Sequence, residues 1–567
     1  MMPILQWLPA YRRGDLSGDL IAGGITAVLL IPQAMAYSLL AGLPPQVGLY
    51  ASIVPPFLYA LFGSSRVLAV GPVAVASIMV ATALSSIALP GSSAYYAAAL
   101  ILALLIGLIL LIMGVMRLGF IANFLGHPVM SGFTSGAAIL IALSQFKHLL
   151  GLSIPGGLSI PETFQYMFQH GEDISFAIVL FSGASFLVFF GLRTSLPRLL
   201  AGLGFSSTAV GIVSKSSPLI LIVIATGVVA LMQLDQAAGI IVVGTIPAGL
   251  PDWTIPEFDR ALWVELMPAA LLIALVSFVE SVAIAKVLAS KRRQAINVNQ
   301  ELVGLGFANI GAAFTGGSPV CGGFSRSVVN FEAGANTQMA GIVTAGIIAL
   351  AVGLFTPLFY FLPQAVLAVI IIVSILRLVN LGVIAGMWNY NKADGLSLVV
   401  TLLATLSVGI ELGIIAGVVL SLLLYLWRTS RPHIAVVGRV GNSEHFRNIL
   451  RHQVKTCDKV LAVRIDESLY FANADSLESY LLSAVAEHPE IEHLLLIFSA
   501  VNFVDSSALE TLERLTDELR NSGVQLHISE IKGPVEEKLH TTDFFDRLKP
   551  GSVYLSTHEA MVALGCT

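Results

Sequence analysis

Phe314-Thr-Gly-Gly-Ser-Pro-Val-Cys-Gly-Gly-Phe-Ser-Arg-Ser-Val-Val-Asn330 is the stretch whose reading decides the fold. Glycine pairs at Gly316-Gly317 and Gly322-Gly323 flank Pro319, and from Phe324 the pattern turns helical. Gly and Pro ahead of a short apolar helix describe a discontinuous helix, whose first N–H groups are unpaired and carry partial positive charge. Arg326 lies inside that helix, where a lone guanidinium at bilayer depth is costly without a partner or a bound anion. Backbone donors plus an arginine make an anion site.

The surrounding chain fits a membrane setting. Hydrophobic residues make up 56% of the 567 and charged residues 11%, which excludes an ordinary soluble protein. Charge is unevenly placed: residues 1–431 carry 18 Lys+Arg against 15 Asp+Glu, and residues 432–567 carry 12 against 20. This predicts a membrane domain over 1–431 and an acidic soluble tail over 432–567. The acidic balance gives no support for a nucleic-acid partner. Cys321, Cys457 and Cys566 make no paired framework and no metal spacing, and the tail's thiols are expected to be reduced. The first apolar run, Leu20–Leu40, is too long for a cleavable signal peptide. With no phosphate-binding glycine loop, metal cluster or catalytic triad, neither an enzyme nor a cofactor is expected.

Working outward, a second break of the same kind stands at Gly71-Pro72-Val73, 247 residues before Pro319. Apolar spans are predicted at about 20–42, 47–62, the half-helix after Pro72, 95–115, 122–146, 174–192 and 218–233. A second set follows at 266–289, 299–314, the broken helix after Gly322, 337–353, 358–376, 394–410 and 411–428. Interrupted segments at corresponding places in two halves point to a transporter binding site. With the N-terminus inside, Arg66, Arg117, Arg193, Arg198, Lys215, Lys291, Arg292, Arg293, Arg377, Lys392 and Arg428 all fall on the cytoplasmic side. Little more than Lys147 and Arg260 remains opposite, so both termini are expected in the cytoplasm of a cell (inner) membrane protein. After Pro432 the pattern changes. Val460–Ile465, Leu494–Phe498 and Val524–Ser529 read as strands, and Ser506–Leu519 and Glu536–Phe545 as helices, hence a small α/β domain.

These residues resemble the sulfate permease (SulP) family of anion transporters. The resemblance rests on Pro32-Gln33-Ala-Met-Ala-Tyr37, Leu43-Pro-Pro-Gln-Val-Gly-Leu-Tyr50, Gly71-Pro72-Val73, Val279-Glu280-Ser281 and Gly323-Phe-Ser325-Arg326-Ser327. In the tail, Asn502-Phe-Val-Asp505-Ser506-Ser507-Ala-Leu509 resembles a STAS domain, shared with anti-sigma factor antagonists. The resemblance implies an α-helical polytopic membrane domain of fourteen transmembrane segments in two inverted repeats of seven, divided into core and gate. A cytoplasmic STAS domain follows, and the whole is usually a homodimer. Family binding residues map onto Gln33, Tyr37, Val73, Glu280, Ser325 and Arg326. The expected function is secondary active transport of small oxyanions, sulfate first, by proton-coupled symport. Bicarbonate, a dicarboxylate (fumarate or succinate), an uncoupled channel and a STAS-linked sensor are the alternatives.

Each site residue also has a plain structural reading. Arg326 and Glu280 could be an ion pair. Yet an ionised Glu280 offsets the positive site and disfavours a dianion, whereas a protonated one does not, which suits Glu280 to carrying the coupling ion, a proton or sodium. Gln33 either contacts substrate or satisfies the carbonyl freed by Pro32. Tyr37, four residues on, shares its face and could be packing. Ser325 could donate to an oxyanion or to its own helix. The substrate is expected between the half-helices at Val73 and Phe324. Ser506 is either a phosphorylation site, as in the antagonists, or part of an N-cap.

Overall fold

The computed structural model describes residues 2–566 apart from 124–125, 153, 155–159, 205, 207–209, 212, 214–215, 246–248, 377–378 and 380. Lys215 and Arg377, used in the orientation argument, lie outside the described residues. The chain forms two compact units, Met1–Ser421 and Leu422–Thr567, which part within the helix Ile410–Thr429.

The first unit is helical. Six described helices are long and apolar enough to cross a membrane, from Arg13–Leu40 to Leu412–Thr429, the last of them spanning the division between the units, and shorter apolar helices stand between them. The two breaks read from the sequence are real breaks. Val70–Gly71 (β1) leads into the helix Ala74–Ser85, and Cys321–Gly322 (β2) leads into Phe324–Glu332. At 1.5 Å per residue, these helices of 12 and 9 residues reach only about 18 and 14 Å, roughly half of a bilayer core each. Elements flanking one half-helix pack on those flanking the other: Ser93–Val115 lies along Val298–Phe314, and Arg13–Leu40 along Met339–Leu354. The first contact is close because both sides are small. A Cβ on Gly107 would lie 2.9 Å from the Gly306 carbonyl, and one on Gly306 3.0 Å from that of Gly107. Elsewhere His127–Ser144 packs on Lys392–Val408, and Phe176–Phe190 on Gln364–Ile375.

The second unit carries a six-stranded sheet built from Ile434–Arg439 (β3), Phe446–Asn448 (β4), Val460–Ile465 (β5), His493–Ile497 (β6), Gln525–Ser529 (β7) and Val553–Tyr554 (β8), in the order β4-β3-β5-β6-β7-β8. β5 to β8 run parallel, and β3 is antiparallel to both its neighbours. Alternation divides the continuous apolar run of β6 between two cores. Leu494 and Leu496 face the helix Ser506–Asn521, through Leu512, Leu515 and Leu519. Leu495 and Ile497 face Ala560 and Met561 of the helix Thr557–Ala563. The predicted helix Glu536–Phe545 is instead two, Gly533–Leu539 and Phe544–Leu548. One expectation is overturned outright: Cys457 and Cys566 form a disulfide, while Cys321 is free and buried. They stand 109 residues apart, a pairing that only the folded topology creates.

Candidate functional site

The two breaks meet. β1 and β2 pair antiparallel, with Val70 opposite Gly322 and Gly71 opposite Cys321. Irregular backbone inside an apolar body is tolerated only where its polar groups find partners. Here side chains from several helices supply them. Val320 exchanges two 2.9 Å hydrogen bonds with the Asn309 amide, its N–H donating to Oδ1 and its carbonyl accepting from Nδ2. Gly322 N–H donates to Ser281 Oγ at 2.8 Å, and that hydroxyl donates to the Ser277 carbonyl at 2.6 Å. Ala69 N–H donates to Ser327 Oγ at 2.9 Å, and Asn330 Nδ2 donates to the Val67 carbonyl at 3.1 Å.

Both half-helices start at this crossing. Each follows an extended residue, Val73 or Gly323, and among the described residues no side chain caps either start. Their first N–H groups therefore keep their partial positive charge directed at the crossing. Arg326 is 1% exposed. One terminal nitrogen donates to the Pro72 carbonyl at 2.7 Å, tying the second half-helix to the mouth of the first. Its Nε and Nη2 have no partner among the described residues. Gly323 makes room for this group, since a Cβ there would lie 2.7 Å from Nη2 and 2.8 Å from Cζ.

Glu280 is half-buried on the helix Arg260–Lys291, next to the Ser281 that holds β2. It lies in the electrostatic field of Arg326, but no ion pair joins them among the described residues. The simple ion-pair reading is thus not what the geometry presents. Tyr37 is buried and interacts electrostatically with both Arg326 and Glu280. Gln33, one turn earlier, is also buried, on a helix that packs against both half-helices. Val73 is buried with Ala76 and Cys321. Phe324, 50% exposed, and Ser325, also exposed, face open space at the start of the second half-helix.

Ser506 sits apart from these residues, in the second unit. The cap of its helix is Asp505, whose Oδ1 accepts from Ala508 N–H at 2.8 Å and Oδ2 from Phe471 N–H at 2.9 Å. Ser506 itself is exposed, one residue past the cap. Two fully buried carboxylates escaped the sequence reading. Glu301 accepts from Tyr59 Oη, Ser64 N–H, Ser64 Oγ and Ser65 N–H at 2.6 to 2.9 Å. Asp19 accepts from Asn336 N–H, Thr337 N–H and Thr337 Oγ1. An acid within or beside an apolar run was the available signal for both. Their fourfold and threefold satisfaction marks them as anchors of the turns they hold.

An apolar helical body whose two half-helices cross at a buried cation, followed by an α/β tail, defines a class of multi-pass membrane transporters. Residues 16–401 match the model of the sulfate permease family, and residues 451–560 that of the STAS domain. The chain belongs to the sulfate permease family, whose members are transporters and not enzymes. It is 36% identical to sulfate transporter 4.1, chloroplastic, of Arabidopsis thaliana, across 99% of this chain and 82% of the relative. Its fold is that of the murine Slc26a9 anion transporter in an inward-facing state (TM-score 0.90, 24% identity, covering 100% of this chain and 94% of that one). The transmembrane domain of the cyanobacterial bicarbonate transporter BicA is a more distant likeness (TM-score 0.60, 22% identity, covering 72% and 98%).

Proposed function

We propose that the chain moves small oxyanions, sulfate first, by proton-coupled symport and alternating access. One observation carries this reading: among the described residues, two nitrogens of a buried arginine stand unpartnered between two helix starts that no side chain caps. Each start supplies about half a positive charge and the guanidinium one, about two in all, which suits a dianion. The sulfate transporters among the relatives favour the same substrate. In this reading Arg326 and the backbone donors hold the oxyanion. Gln33, Tyr37, Val73, Phe324 and Ser325 line its place, and Glu280 binds the coupling proton or sodium. With Glu280 ionised the site falls to about one positive charge, which suits a monoanion. The likeness to a bicarbonate transporter keeps that second reading in play.

The same proposal takes fourteen crossings in a homodimer, with both termini and the STAS domain, residues 432–567, in the cytoplasm. The deciding experiment is uptake of labelled sulfate into proteoliposomes with and without an inward proton gradient. Accumulation should follow the gradient, vanish in Arg326→Ala and lose its gradient dependence in Glu280→Gln. Wild-type vesicles that take up bicarbonate or fumarate but no sulfate would overturn the substrate and keep the site.

A further inference from the structure

Cys457 and Cys566 bring together two parts of the tail that nothing in the transport reading uses. Cys457 precedes β5, and Cys566 follows the helix Thr557–Ala563. Their Cα atoms are 5.8 Å apart, within the range for a disulfide. That helix covers one face of the sheet, with Ala560 and Met561 packed among Ala435, Val437, Leu495 and Ile497. Its start is held by Thr557, which donates to Glu530 Oε1 at 2.6 Å. At its far end, Cys566 N–H donates to the Met561 carbonyl, a bond within the same segment, so the disulfide is the covalent tie to the sheet. Both cysteines are half-buried, within reach of a small thiol. Disulfides in the cytosol of mesophiles are usually redox-sensing, because the thiol pool reduces permanent ones that it can reach.

We propose that Cys457 and Cys566 form a reversible thiol–disulfide site that latches the helix Thr557–Ala563 onto the sheet and exchanges with glutathione. The inference rests on the cytoplasmic placement of the tail, not on the substrate. In oxidation, one protein thiolate attacks glutathione disulfide and expels a glutathione thiolate, leaving a mixed disulfide. The second protein thiolate then attacks that bond and expels a second glutathione. The protein loses two electrons and two protons, and both pass to the two glutathiones.

The test uses the full-length protein in detergent, equilibrated at graded ratios of reduced to oxidised glutathione. It is then quenched in acid, denatured and labelled with a polyethylene glycol maleimide. Wild type should shift from one labelled thiol, Cys321, to three as the ratio rises, while Cys457→Ser and Cys566→Ser never exceed two and, at oxidising ratios, hold the remaining cysteine as a mixed disulfide with glutathione, seen as added mass. Three labels at every ratio, one label at every ratio, or a covalent dimer on a non-reducing gel each overturns the site. The latch has its own readout: reduction should speed amide exchange across residues 557–566 by about tenfold or more and leave β5 to β7 unchanged. Equal exchange in both states refutes the latch.

Discussion

Arg326 combines two roles that one side chain seldom carries. One nitrogen is committed to Pro72 and so fastens the two half-helices together, while Nε and Nη2 have no partner among the described residues and, in the proposed function, serve the anion. Gly323 sets the position of that group. In Gly323→Ala the new methyl meets Nη2 and Cζ inside normal contact distance, so the guanidinium must move while the backbone can stay. Sulfate uptake should fall at least about tenfold with little change in detergent melting temperature, since a shift of about an ångström at a site can cost that much or more. Glu301 predicts the reverse pattern. In Glu301→Gln an amide NH2 replaces one of the two carboxylate oxygens that together accept four donors, leaving at least one donor buried and unpaired, at about 1–3 kcal/mol. Melting temperature should drop, and the KM of the surviving protein should hold. An unchanged melting temperature would show that the anchor role is misassigned.

Among elements, what the sequence made legible and what it hid divide along a physical line. Gly316-Gly317, Gly322-Gly323, Pro319 and Gly71-Pro72 are local signals, and they located both breaks and both half-helix starts. Arg326 and Glu280 were legible because a charge in an apolar run is conspicuous without any partner. The pairing of β1 with β2 and the ties from Ser281, Asn309 and Ser327 were hidden, because they join residues whose own neighbourhoods say nothing of each other. In the tail, the strands β3, β4 and β8 and the helices Ala474–Ala486 and Thr557–Ala563 went unread, β4 and β8 being too short to show a period. The same kind of non-local meeting joins His493 and His527 on β6 and β7. Ser552 N–H donates to His527 Nδ1 at 3.1 Å, so His527 carries its proton on Nε2 and donates it to His493 Nδ1 at 3.2 Å. Burial, and then the neighbouring imidazole, push His527 down to about 4 from an ordinary 6.5. The unfolded chain takes up this proton near 6.5 and the folded one only near 4. The tail is therefore expected to lose stability as pH falls through that interval and to keep it in full above. Denaturation midpoints of the tail between pH 7 and 4.5 would show it, and His527→Gln should flatten the acid side of the curve.

For the whole molecule, the crossing makes the two halves of the membrane unit interdependent. Each contributes one strand, one helix start and part of the polar support, so neither holds a complete site. Cutting the chain within 251–259, between the halves, should leave an N-terminal piece that is degraded when expressed alone. Co-expression with its C-terminal complement should restore both its level and its uptake. A stable, well-packed N-terminal piece on its own would argue that β1 finds other partners.

The same pairing sets a schedule for biogenesis. Val70 is made 252 residues before Gly322, the residue it faces. At about 5–20 residues per second, the ribosome needs roughly 13 to 50 s to bridge that interval. For that time the backbone groups of β1 that pair with β2 in the finished fold are without those partners. The first half must therefore wait for its complement, and slower translation across the middle of the chain is expected to lengthen its exposure to proteolysis.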